Sequence, residues 1–247
     1  MSFDLQTVAT FFVLFISTLT RSTFGFGDAL VGMPLLAIVH DDVSFIAPLM
    51  AIKAVTISLI IATKDRHRID LPSASRLVIG AGMGIPIGVI FLLKVEASWV
   101  KLILAILILI FCLQSLFRRV PYRIQSEWPA LGFGFLGGVL GGAYNTSGPP
   151  AVMFGTLRGW SPEKFRATLQ GYFLPTGFLI AALHAGAGLW TQRVLLYYVA
   201  SLPLVLAAIW LGRFLNQRFK PHAFVRVIHV LLMVISCGLI YTVLISW

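Results

Sequence analysis

One lysine stands about midway along an apolar run, and elsewhere two glycine- and proline-broken stretches interrupt apolar sequence. Lys53 is the single charged residue of the run 43–63. An ammonium at such depth is costly, and residues of this kind face a cavity or a partner. Lys53 reads as a counter-charge for an anion. The bland alternative is a structural ion pair, with Asp28 as the evident acid, and an anion that competes with Asp28 would unite the two. The broken stretches are Phe24-Gly25-Phe26-Gly27-Asp28 through Gly32-Met33-Pro34, and Leu140-Gly141-Gly142-Ala143-Tyr144-Asn145-Thr146-Ser147-Gly148-Pro149-Pro150. At an offset of 116, Gly25 falls on Gly141, Gly32 on Gly148 and Pro34 on Pro150. Paired breaks at matching places in two halves point to the binding site of a transporter.

Other side chains carry weaker signals. Asn145, Thr146 and Ser147 supply polar groups at the second break, and Ser22 and Thr23 lie beside the first. Gln170 falls opposite Lys53 at offset 117 and shares a helix face with Arg166, four residues earlier. Ser161-Pro162-Glu163 reads as an N-cap, a proline at the first helical position and a first-turn acid. Arg166 then sits one turn inside, where it guides anions or binds lipid phosphate. Asp28 is an N-cap, or also a proton acceptor for coupling. His184 and His229 read as structural residues in apolar runs, Cys112 and Cys237 as small apolar ones. No metal motif, cofactor motif, carboxylate pair or Ser-His-Asp order appears.

The elements that must hold these residues are membrane helices. Hydrophobic residues make up 58% of the 247 and charged residues 11%, far from the quarter charged of a soluble domain. Apolar runs of about 20 residues mark a polytopic all-α membrane protein. A net charge of +10 suggests nucleic acid, but the basic residues sit in short clusters between apolar runs. That is the positive-inside pattern, with attraction to anionic lipid beside it. Met1 to Thr20 lacks a basic leader region, so no removed signal peptide is expected.

Five apolar segments fall in each half, 5–20, 26–39, 43–63, 71–93 and 98–117, then 128–144, 148–157, 165–187, 192–212 and 222–246. Gly88 matches Gly212 at offset 124, and Trp99-Val100-Lys101 matches Phe224-Val225-Arg226 at 125. We read a first repeat over 1–118, a cytoplasmic linker over 119–127 and a second repeat over 128–247, in one membrane domain. Lys64, Arg66 and Arg68, then Arg118, Arg119 and Arg123, then Arg158, Lys164 and Arg166, then Arg213, Arg218 and Lys220 should be cytoplasmic. Arg21, Lys94 and Arg193 remain for the opposite ends. That assignment makes 128–157 a hairpin, fully crossing or re-entrant, and its counterpart 5–40 likewise. Two inverted repeats with both termini outside result.

Proline is favoured in the first turn of a helix, so a short helix starts near Gly148 and ends at Arg158. At about 1.5 Å per residue it spans roughly half a bilayer. Its N-terminus lies near the midplane, as does that of a helix from Asp28 to Val39. Two helix N-termini, each a partial positive charge with N–H donors, then face one another. The alternative is that both breaks are packing kinks.

The glycine-rich segments Gly25-Phe26-Gly27 through Pro34-Leu35-Leu36 and Gly134-Phe135-Leu136-Gly137-Gly138 through Gly148-Pro149-Pro150 resemble the TauE/SafE family of sulfite exporters. Arg158-Gly159-Trp160-Ser161-Pro162-Glu163-Lys164-Phe165-Arg166-Ala167-Thr168-Leu169-Gln170 resembles one subgroup of it. The resemblance spans about 7–245 and implies an inner-membrane exporter of sulfite, sulfonates or related organic anions. Asp28 and Tyr144-Asn145-Thr146-Ser147 depart from the family's commoner glycine runs, which favours a larger sulfonate or carboxylate over sulfite. The expected substrate-binding set is Lys53, Asn145, Thr146, Ser147, Gly148, Gly27, Thr23, Gln170 and Arg166, with Asp28 for coupling. The expected function is a secondary transporter working by alternating access, without a cofactor, with a proton as an optional co-ion and a homodimer left open. An anion channel using the same site and an intramembrane enzyme using His184 or His229 are the alternatives. A metal-cation transporter is disfavoured by the scarcity of carboxylates, thiolates and clustered histidines.

Overall fold

The computed structural model describes residues 4–61, 68–96 and 124–218, with scattered positions between 98 and 113 and between 233 and 241. The described residues are helical, with no strand among them. In chain order the helices are α1 (Leu5–Phe24), α2 (Asp28–Val39), α3 (Val43–Ile61), α4 (Leu71–Lys94), α5 (Pro129–Tyr144), α6 (Gly148–Arg158), α7 (Pro162–Gly186) and α8 (Gln192–Arg218).

Local chemistry sets most of the ends. Asp4 caps α1 by accepting the Thr7 N–H at 2.9 Å, and Gly25 ends it in the left-handed region at φ 86°. Asp70 caps α4 and Ser161 caps α7, each ahead of a proline in the first turn. Burial pushes the Asp70 carboxyl up, but the Lys164 ammonium at 2.7 Å and the Ser73 N–H outweigh it and hold it below the usual carboxylate range. Asp70 thereby ties the start of α4 to the start of α7.

α1, α3, α4 and α8 are long and apolar enough to cross a membrane. On α4, Ile79, Met83, Ile87 and Ile90 form an exposed apolar stripe, and α8 exposes Leu196, Val199, Leu206 and Trp210. Faces like these would be a liability in water and are what a helix presents to lipid. An adjoining face of α4 carries Gly80, Gly84 and Gly88. A Cβ on any of them would collide with backbone of α5, at Leu131, Phe135 and Val139. Gly134, Gly138 and Gly142 of α5 meet α4 at Leu77, Ala81 and Ile85 in the same way. Lipid gives helices no hydrophobic reason to associate, so close backbone approach through small residues supplies the contact.

α1 packs on α2 and α8, and α5 packs on α6. α7 lies against both α3 and α4, so the second half of the chain is interlocked with the first. The stretch 118–123, with both arginines of the expected linker, Arg119 and Arg123, lies outside the described residues, as do Lys64, Arg66 and Lys220.

Candidate functional site

Each break is made by a left-handed residue. At the first, Gly25 and Gly27 have φ of 86° and 97°, values costly for a side-chain-bearing residue. At the second, Asn145 takes φ 53°, the one non-glycine with positive φ among the described residues. Asparagine tolerates that region better than most residues. Its N–H donates to the Gly141 carbonyl at 2.8 Å, closing α5, while its side chain stays at the break. α2 and α6 begin immediately afterwards, at Asp28 and Gly148.

The two beginnings share one small cavity of about 40 Å³, lined by Gly27 and Asp28 from one break and Asn145, Thr146, Ser147 and Gly148 from the other. A water needs ~10–15 Å³ of such space, so the cavity suits a compact head group. Pro149 and Pro150 carry no N–H, which leaves Gly148 as the donor among the first three residues of α6. Ser147 makes no side-chain cap bond to the helix, and Thr146 Oγ1 donates to the Tyr144 carbonyl at 2.9 Å.

Lys53 is fully buried. Its ammonium donates to Asp28 Oδ1 at 2.7 Å and to Ser17 Oγ at 2.6 Å. It is not among the residues that line the cavity, whereas its partner Asp28 is. Asp28 was expected as an N-cap. The cap position belongs instead to Gly27, and Asp28 is the first helical residue with its carboxylate turned to Lys53.

Arg21 was grouped with the charges at the outer ends, and the structure corrects this. Its side chain is 7% exposed and lines the cavity from the last turn of α1. Nη2 donates to Ser58 Oγ at 2.6 Å, Nη1 lies 3.8 Å from Asp28 Oδ2, and the guanidinium stands 5.1 Å from the centre of the Phe173 ring. Neither Arg21 Nε nor Asp28 Oδ2 has a hydrogen-bond partner among the described residues. The signal for Arg21 was its place: four residues before Gly25, it has the depth of the break.

A second cavity of about 330 Å³ also has Arg21 in its wall, with Gly25, Arg166 and Gln170. Ile61, Ile69 and Leu71 line it too, so it lies towards the end of α3 and the start of α4. Gln170 Nε2 donates to the Gly25 carbonyl at 2.9 Å, joining α7 to the first break. The stem of Arg166 lies over Gly25. Thr23 turns back to the Leu19 carbonyl at 2.8 Å and lines neither cavity. His184 is buried against the Gly142 carbonyl at 2.9 Å. His229 and Cys112 lie outside the described residues. The structure thus gathers Gly27, Asp28, Asn145, Thr146, Ser147 and Gly148 at one cavity, places Arg166 and Gln170 at the second, and sets Lys53 and Thr23 apart.

A family model described as sulfite exporter TauE/SafE matches residues 10–239. No curated protein and no solved structure is matched by the chain.

Proposed function

The chain belongs to the sulfite exporter TauE/SafE family, and from that premise we propose that it is a secondary transporter that exports a small oxyanion across a bacterial inner membrane by alternating access. Family and apolar helices make it a multi-pass membrane protein of a transporter family. The observation that carries the finer reading is the small cavity at which two broken helices restart, with the buried Arg21 in its wall. In our reading the oxyanion head group binds there, held by Arg21, Asn145, Thr146, Ser147 and the N–H of Gly148. The larger cavity beside Arg21 and Arg166 serves as its approach or holds an organic tail. Asp28 is the candidate for proton coupling, and a dimer is compatible with this arrangement. The two halves act as inverted repeats, 1–118 and 128–247, whose hairpins bring both breaks to the midplane.

Export of an anion is driven by an inside-negative potential, by about 2.3 kcal/mol per charge per 100 mV, so uniport suffices. The test is reconstitution into liposomes loaded with sulfite, small sulfonates or carboxylates, followed by efflux under an imposed potential. We expect efflux of at least one of these, accelerated by the same anion outside. Absence of efflux for the whole set overturns the transport reading. Currents far above carrier turnover replace the carrier with a channel.

A further inference from the structure

We infer that the central cavity selects an oxyanion of single negative charge, and that Arg21 is the residue that sets this selectivity. The inference rests on the oxyanion reading of the cavity and deepens it. Among the described residues, Arg21 and Asp28 are the charged ones in the cavity wall, and Lys53 is paired with Asp28. Lys53 and Asp28 meet at 2.7 Å, and both are buried. That pair is neutral as a unit. Arg21 lies farther from the carboxylate, at 3.8 Å, and its Nε is buried without a partner. Two cations and one carboxylate therefore leave one uncompensated positive charge against the cavity.

Helix dipoles add less than the guanidinium. The N-termini of α2 and α6 lie at the cavity, and each carries at most about half a positive charge. α6 offers only the Gly148 N–H among its first three residues, because Pro149 and Pro150 have none. The one full charge left is the guanidinium. A lone buried charge is strongly disfavoured until a counter-ion meets it, and one negative charge meets it. A dianion would leave a buried excess of the opposite sign. The class selected is a sulfonate, a hydrogen sulfite or a small carboxylate, in preference to sulfate or fully ionised sulfite.

The test titrates the purified protein with methanesulfonate and with sulfate, head groups of similar size that differ by one charge. Binding is read as a shift in melting temperature with ligand concentration. In the wild type, methanesulfonate should bind at least ~tenfold more tightly than sulfate, the scale of a modest electrostatic penalty. Asp28→Asn raises the local charge by one and should move the ratio towards sulfate. Arg21→Gln should lose methanesulfonate, and Arg21→Lys should recover part of it. Sulfate binding as tightly as methanesulfonate in the wild type overturns the inference, as does a ratio that a cooperatively melting Asp28→Asn leaves unmoved. If Asp28→Asn does not fold, the wild-type ratio decides. Binding of no oxyanion at all, across sulfite, sulfonates and carboxylates, overturns the oxyanion site itself rather than its charge selectivity alone.

Discussion

Arg21 and Lys53 approach different oxygens of the same carboxylate, and the difference of about 1 Å between them separates two roles. At 2.7 Å, Lys53 is the counter-ion that permits Asp28 to be buried. Removing one member of a buried pair leaves an uncompensated charge, at about 3–5 kcal/mol, whereas removing both is far milder. Lys53→Met should therefore lower the melting temperature sharply, and Lys53→Met with Asp28→Asn should recover much of the loss. Equal melting temperatures for the single and double variants would show that the pair is not coupled. The sequence put Lys53 forward first as a counter-charge for an anion and held an ion pair with Asp28 as the alternative, and that pair is formed. The sequence did not reveal that Asp28 would line the cavity and Lys53 would not, since that depends on which side of α2 faces α3.

At the scale of elements, the helix ends follow from local residue chemistry, while the contact between α4 and α5 follows from spacing. Glycines recur every fourth residue on both helices, at 80, 84 and 88 and at 134, 138 and 142. They lie on one face of each helix, where a side chain would strike the neighbouring backbone. Gly84→Val and Gly138→Val should each destabilise the protein by a few kcal/mol, the scale of overpacking at a site that cannot relax. Gly82→Ala and Gly132→Ala, whose added methyl meets open space, should melt within about 0.5 kcal/mol of wild type, as surface substitutions do. A melting series in one detergent checks all four, and equal effects at both kinds of site would refute the glycine seam. The breaks at 25–27 and 145–147 were readable because glycine, asparagine and proline restrict or free the backbone locally. The seam was equally present in the sequence, yet a four-residue glycine spacing does not name the helix it meets.

At the scale of the molecule, the inverted arrangement we propose predicts opposite sides for corresponding loops. In a background with both cysteines replaced by serine, Asp41→Cys should react with an impermeant maleimide on intact cells. Glu163→Cys, beside the Arg158 and Lys164 cluster, should react only after the membrane is opened. Labelling of both from the same side would remove the inversion and with it the argument that the two hairpins enter from opposite faces.

The sequence by itself determined the membrane class, the places where the apolar helices break and the Ser161-Pro162 start of α7, whereas the cap of α2 fell to Gly27 and not to Asp28. Each of these depends on composition or on interactions within a few positions of the chain. Tertiary structure alone decided that Arg21, rather than Lys53, forms part of the cavity wall, and that Gln170 reaches across from α7 to the Gly25 carbonyl. Those partners are separated along the chain by up to 145 residues, and the packing of helices brings them together. In a buried site, charge acts through distance and through what stands between, and both are properties of the folded arrangement.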